Sequence, residues 1–341
     1  MQEERLKILK MLEEGKINTT EAMSLLEHFK DDDEANQATP NTKKTNKLGD
    51  FINSISSGDF NFNSLFNLED LSFGLFKQDT VVCVSEPIEG AISNIHLVGK
   101  NGKLKIDTHD EAHIQVNCSF ISRKSDDKVE LVQNENGTYE LKYDDDSIKT
   151  LSIHCFLPKV DIHKLCAKNT NSSITVSHLS TLSEGIFKTS NSGILVHDVV
   201  SENLNCSTSN ASIKLSHTTA KQLVVQTSNA KIVVDHCLSN RTNLITSNAP
   251  IEFMVSDDTT ASDNLSLTAN TSNAGIRVTL PPVLDDTTSV TVKHATSAGK
   301  FISTVPYLQY MDYDTHASVN SAATKHINLA LTTSNANIKV S

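Results

Sequence analysis

The 341-residue chain has no tryptophan, and aromatic residues make up only 5% of it, a low share for the core of a globular enzyme. No stretch of 18 apolar residues occurs, so nothing in it is expected to span a membrane as a helix. The six cysteines, Cys83, Cys118, Cys155, Cys166, Cys206 and Cys237, stand singly with no C-x-x-C pair. That spacing fits neither a zinc site nor a dense disulfide framework, which leaves reduced, packed thiols. Basic residues are outnumbered, giving a net charge of −11, and the cluster Lys43, Lys44 and Lys47 does not offset it. Nucleic acid is therefore not an expected partner, because phosphate binding needs a basic surface. The start "MQEERLKILKMLEEGK" is charged and amphipathic and does not lead into an apolar run. A conventional signal peptide is not expected, and the cytoplasm is the default location. No G-x-S-x-G, P-loop or H-E-x-x-H is present either.

What is abundant is a repeat. The copies are "NTNSSI" (169–174), "KTSNSGI" (188–194), "STSNASI" (207–213), "QTSNAKI" (226–232), "ITSNAPI" (245–251), "NTSNAGI" (270–276) and "TTSNANI" (332–338). Their asparagines, Asn171, Asn191, Asn210, Asn229, Asn248, Asn273 and Asn335, are spaced by 20, 19, 19, 19, 25 and 62 residues. A period near 19 is the mark of a stacked repeat. After each asparagine an apolar residue recurs at every second position, as in Ile213 and Leu215 or Ile232 and Val234. The stretch before the corner alternates too, as in Leu204 and Cys206 or Leu223 and Val225. Each repeat thus reads as strand, turn, strand. One such unit is marginal in water, whereas stacked units share a continuous core. The expected fold is mainly β, a β-solenoid of about 19-residue repeats. In its corners Asn tolerates the left-handed backbone, and its amide can bond local backbone or the Asn one rung away. A structural ladder is the favoured reading of these asparagines, with a ligand-binding ladder as the rival.

The remaining organisation follows from composition. Residues 1–30 carry Leu6, Ile8, Leu9 and Leu12, then Ala22, Leu25, Leu26 and Phe29, at helical spacing. Gly15 stands between them as a C-cap, with Asn18 and Glu21 placed as a capping box, so a helical hairpin is expected. A hairpin this small needs something to dock on, either a second copy in a homo-oligomer or another surface. Residues 31–79 hold an acidic flexible linker and a segment in which Phe51, Phe60, Phe62, Phe66, Phe73 and Phe76 fall within 26 residues. Such a segment can dock on protein or rest on a lipid surface. Residues 80–341 form the repeat domain. Residues 80–158 are irregular strands joined by turns such as "KNGK" and "NENG", capping one end; 159–280 are regular repeats; 281–341 are a distorted continuation and cap, with "ATSAGKF" as a degenerate corner.

Two constellations could carry chemistry. His178, His217 and His236 fall four residues after the repeat isoleucine and His197 three, so stacking brings them into a column about 5 Å apart. They could share a metal ion or titrate together, although duplication of a polar strand end accounts for them as simply, and no metal is assigned. The acids Glu184, Asp198, Glu202, Asp235 and Glu252 take different offsets from the repeat isoleucine. A polysaccharide-active β-helix enzyme needs carboxylates converging on one face, so neither an enzyme nor a cofactor is expected.

The stretch "EERLKILKMLEEGKINTTEAMSLLEHF" resembles the SHOCT-like helical domain at the N-terminus of YvlB-type and LiaX-type proteins of Gram-positive bacteria. "LSIHCFLPKVDIHKLCAKNTNSSITVSHL" with the repeats that follow is similar to the adhesin-like β-strand repeat domain of the same proteins. The resemblance implies a non-enzymatic protein of the cell-envelope stress response that binds protein partners or cationic antimicrobial peptides. It also implies association with the cell surface. An adhesin-like or structural surface protein is the alternative.

Overall fold

A computed structural model describes residues 77–341 except 125, 256–263, 285, 319 and 321; these belong to one compact unit, Phe73–Ser341. The helical hairpin expected over 1–30, the linker and the six phenylalanines from Phe51 to Phe76 lie outside the described residues. Among the described residues the first strand is Lys77–Val84, which overlaps the expected start of the repeat domain at 80.

Among the described residues there are twenty-two strands and no helix. The repeats lie on one another in parallel and in register. Ile194–Ser207 pairs with Ile174–Lys188 on one side and with Ile213–Ser216 and Thr219–Gln226 on the other. Ile232–Ile245 comes next, followed by Ile251–Val255 and Asn264–Asn270. Register puts like on like: Ile174, Ile194, Ile213, Ile232, Ile251 and Ile276 form one buried column. Leu165, Leu204, Leu223 and Leu267 belong to another, facing the first across the core. The alternation in the sequence is thus the inside and outside of each rung.

Two members of the leucine column are not leucine. Gly185 occupies the column between Leu165 and Leu204, and a Cβ there would lie 2.8 Å from Leu204 and 2.9 Å from Leu182. The fully buried Phe187 ring fills the same layer two residues on, so a missing side chain is balanced by a large neighbour. Thr242 sits between Leu223 and Leu267, 3% exposed. The first repeat spacing of 20 rather than 19 is absorbed as a register shift opposite Val199 and Ser201.

The order of the rungs departs from the order of the chain at both ends. Ile92–Val98 and Asn101–His109 lie directly on Ile162–Lys168 and Ile174–Lys188, in parallel, although about 70 residues separate them in sequence. The expected turn at "KNGK" is therefore a rung corner and not a hairpin. "NENG" is a hairpin turn, joining the antiparallel strands Glu130–Gln133 and Thr138–Lys142, with Gly137 at φ 72°. Beyond Asn101–His109 lies Ile148–Pro158, and the antiparallel strands Gln115–Ser122 and Lys77–Val84 close that end.

At the other end the final repeat, Lys325–Thr333 with Ile338–Val340, is not the outermost rung. It is inserted between Asn264–Thr279 and the strands Thr288–Thr296 and Phe301–Ser303. Gly299 in the corner "ATSAGKF" is required there, since a Cβ would fall 1.8 Å from the carbonyl oxygen of Ala336. The antiparallel strands Gln309–Asp312 and Thr315–Ala317 cover part of the last rung, limiting the exposed sheet edge.

Candidate functional site

The T-S-N-A corner is held by its threonine and asparagine side chains and by its backbone. The threonines Thr189, Thr208, Thr227, Thr246, Thr271 and Thr333 are buried. Thr227 Oγ1 donates toward the carbonyls of Ser209 (3.3 Å) and Ala211 (3.2 Å) one rung below, and Thr208 and Thr246 repeat the pattern. The backbone N–H groups of Ser228 and Asn229 both donate to the Ser209 carbonyl. The asparagine side chains form an exposed ladder in which each Nδ2 donates to the Oδ1 of the Asn below, over 2.7–2.9 Å from Asn335 to Asn171. All seven expected asparagines belong to it, including Asn335, which bonds to Asn273 across a sequence separation of 62. An eighth member is Asn101, which accepts from Asn171 at 2.7 Å. The ladder stops where the next corner carries Ala298, whose N–H shares the Ser334 carbonyl with that of Ser297.

One part of the expected geometry is corrected. None of the repeat asparagines adopts the left-handed backbone; among the corners only Asn101 does, with φ 53°. The left-handed positions of the repeats lie at the opposite bend: His178 (φ 57°), Asp198 (53°), His217 (49°) and His236 (49°). His and Asp are among the types that tolerate this region, which is why they recur at this offset. His197 precedes the left-handed residue of its own rung and pairs in register with Ser216.

The four histidines do form a column, with successive ring centroids 6.0, 5.4 and 5.5 Å apart. His178 Nδ1 lies 2.9 Å from an Asp107 oxygen, His197 Nδ1 3.0 Å from Ser216 Oγ, and His236 Nδ1 2.8 Å from an Asp235 oxygen. Burial pushes the Asp107 carboxyl up, but the hydrogen bonds from His178 and the Thr108 N–H, with Lys105 nearby, outweigh it. The net result holds Asp107 below its ordinary range. Among the described residues no three His, Cys, Asp or Glu side chains converge as a metal cage.

Two residues along the chain from this column, a shallow open groove of about 490 Å³ crosses the stack. Asp161 and His163, residues 180–183, 200–202 and 219–221, and Leu238 and Asn240 contribute to it, one bend per rung. Its lining includes the hydroxyls of Thr181 and Thr219 and the half-exposed Val200. Glu202 and Lys221 form an ion pair across neighbouring rungs, 2.5 Å apart. Of the other acids considered from the sequence, Glu184 pairs with Lys164 and Glu252 with Lys231. The bend beneath the groove is held by buried hydroxyls: Ser201 donates to the Asn203 carbonyl and Ser239 to that of Arg241, each at 3.0 Å.

Sequence reasoning overlooked the histidines inside the end caps. His96, His154 and His294 each have a buried Nε2 without a hydrogen-bond partner, and His154 and His294 lie with their rings 4.0 Å from Phe156 and Phe301. Burial is the leading cause that depresses the pKa of all three. The cysteines are free; all but Cys166 are buried. Burial pushes the Cys118 thiol up to about 12 and that of Cys237 to about 11.

Residues 3–34 match a family model described as a SHOCT-like domain. No curated protein sequence matches the chain. Among solved structures, the fold resembles a candidate lipid-binding protein from Parabacteroides distasonis, at 12% identity and a TM-score of 0.44, over 79% of this chain and 98% of that one. It also resembles candidate adhesins from Parabacteroides distasonis (9% identity, TM-score 0.39, 78% and 97% covered) and Bacteroides fragilis (12%, 0.35, 78% and 97%).

Proposed function

We propose that the described region is a β-solenoid that acts by non-covalent binding, as an adhesin-like surface, and not by catalysis. The observation that carries this reading is the groove: it crosses successive rungs on a stack whose bends are pinned by buried hydroxyls. A rigid, repeating groove suits an extended chain that meets equivalent groups at each rung, and pre-organisation lowers the entropy cost of binding. Two of the carboxylates at and near it are paired with lysines (Glu202 with Lys221, Glu184 with Lys164), and the third, Asp161, lines the groove apart from them, an arrangement that favours recognition over general acid chemistry. The ligand class is an extended protein or peptide segment. Selection from a displayed library of linear peptides should enrich binders that leave the complex with unchanged mass. Val200→Arg with Thr219→Arg, which fills the groove from outside the core, should abolish their binding without moving the melting temperature. Binders indifferent to that double variant, or recovered cleaved, would refute the proposal.

A more specific reading, action in the cell-envelope stress response through cationic antimicrobial peptides, draws on the SHOCT-like match over residues 3–34 and the net charge of −11. Negative charge concentrates cationic ligands in a salt-dependent way. Protease shaving of intact producer cells should then digest the repeat domain more readily after exposure to such a peptide. Equal protection with and without the peptide, with lysed controls digested, would exclude it.

A further inference from the structure

We propose that the histidine column is a binding site for late first-row divalent cations such as Cu²⁺, Ni²⁺ or Zn²⁺, held by imidazoles of neighbouring rungs. His178 and His236 each place Nδ1 within 2.9 Å of a carboxylate oxygen, of Asp107 and Asp235 respectively. A carboxylate only accepts, so Nδ1 carries the proton and donates it, and in the neutral ring the Nε2 lone pair is left free. The same carboxylate–imidazole pairing orients metal-bound histidines and raises the basicity of the ligating nitrogen. Both side chains are open to solvent, 54% and 46% exposed, so the free nitrogens are accessible.

Spacing supports the assignment. Two imidazoles on one tetrahedral ion, at about 2.0–2.1 Å from each nitrogen, have ring centroids roughly 5 Å apart. His197 and His217 stand at 5.4 Å, and His217 and His236 at 5.5 Å with their planes 5° apart. Because an imidazole lone pair lies in its ring plane, the nearly parallel His217 and His236 rings have to tilt toward each other to share one ion, and His197 stands edge-on to His217. The left-handed backbone at His217 and His236 fixes where the side chains leave the strand, and parallel pairing fixes the distance between rungs. Since no three protein ligands converge among the described residues, the ion takes two imidazoles and completes its shell with water. Imidazole ligation with open positions suits copper, nickel and zinc better than magnesium or calcium, which prefer oxygen.

The test uses the full-length chain without an affinity tag, titrated calorimetrically with Cu²⁺, Ni²⁺, Zn²⁺ and Mg²⁺ separately. Saturable uptake of the first three and none of Mg²⁺ is expected. His217→Asn with His236→Asn should remove that uptake; asparagine tolerates the left-handed backbone, so the melt should not move. Asp235→Asn leaves every imidazole in place and should weaken binding roughly 10–100-fold, the usual cost of losing an orienting carboxylate. Nitrogen hyperfine structure in the Cu²⁺ spectrum should show imidazole ligation and disappear with the double variant. Absence of uptake, or uptake and spectrum unchanged in the double variant, would overturn the proposal.

Discussion

Replacing Thr242 by valine should stabilise the protein, which inverts the usual expectation for a substitution in a packed interior. Thr242 is 3% exposed, and Leu223 and Leu267 flank it in register on the neighbouring rungs. Its Oγ1 is buried with no hydrogen-bond partner. A hydroxyl held this way costs about 1–3 kcal/mol relative to a satisfied or absent one. Valine keeps the branched shape and fills the hydroxyl's place with a methyl group, so no cavity opens. The expected gain is about 1–2 kcal/mol, or a rise of a few degrees in Tm for a domain of this size. The reciprocal change, Leu223→Thr, shrinks the side chain and buries a second hydroxyl in the same column; it should cost at least about 2 kcal/mol. Thermal melts followed by far-ultraviolet circular dichroism, checked against urea midpoints, read both. A Thr242→Val midpoint at or below that of the parent would show that the hydroxyl is satisfied, by a buried water for example, and would refute the reasoning.

Three further outcomes follow from the same geometry. Asn229→Ala breaks the amide ladder in its middle, removing the donor to Asn210 and the acceptor of Asn248; urea midpoints should show a loss of about 1 kcal/mol, the sum of two exposed hydrogen bonds. The buried cysteines should react with a thiol reagent only after unfolding, with Cys166 alone reacting early in native protein, because it alone is part-exposed even though burial raises its pKa as it does those of the others; rapid labelling of Cys155 or Cys206 in native protein would contradict their placement. His96, His154 and His294 have pKa values depressed in the folded state, so below the ordinary histidine value of about 6.5 the unfolded chain binds more protons. Stability should therefore fall as pH drops below that value, and His154→Gln should make the acid limb shallower; an unchanged slope would contradict the burial of its Nε2.

The regular part of the stack was readable because its information is local and periodic. Alternation gave the buried columns, and the recurring asparagines gave the ladder from Asn171 to Asn273. Rung order at the ends was not readable, because parallel pairing is set by partners far away in sequence. "KNGK" carries the residues of a hairpin turn, and nothing near Asn101 discloses that its partner is Asn171. The stretch before Asn335 reads as a distorted continuation and cap. It holds a rung and its covering hairpin, and what the sequence does not disclose is that the last repeat is inserted beneath them. The histidine column was legible as a spacing, but its meaning was not: the left-handed backbone and the distant Asp107 appear only in three dimensions. Pattern reading likewise passed over His154 and His294, since alternation assigns them to the outer face, where Phe156 and Phe301 stack on them.

The most direct measurement is covalent mapping of a display-selected peptide carrying a photoreactive group, cross-linked to the native full-length chain and located by mass spectrometry. Cross-links concentrated at 180–183, 200–202, 219–221 and 238–240, on several rungs for one peptide, are the predicted result. Cross-links scattered over the stack, or confined to residues outside these bends, would contradict the claim that the groove is the binding surface.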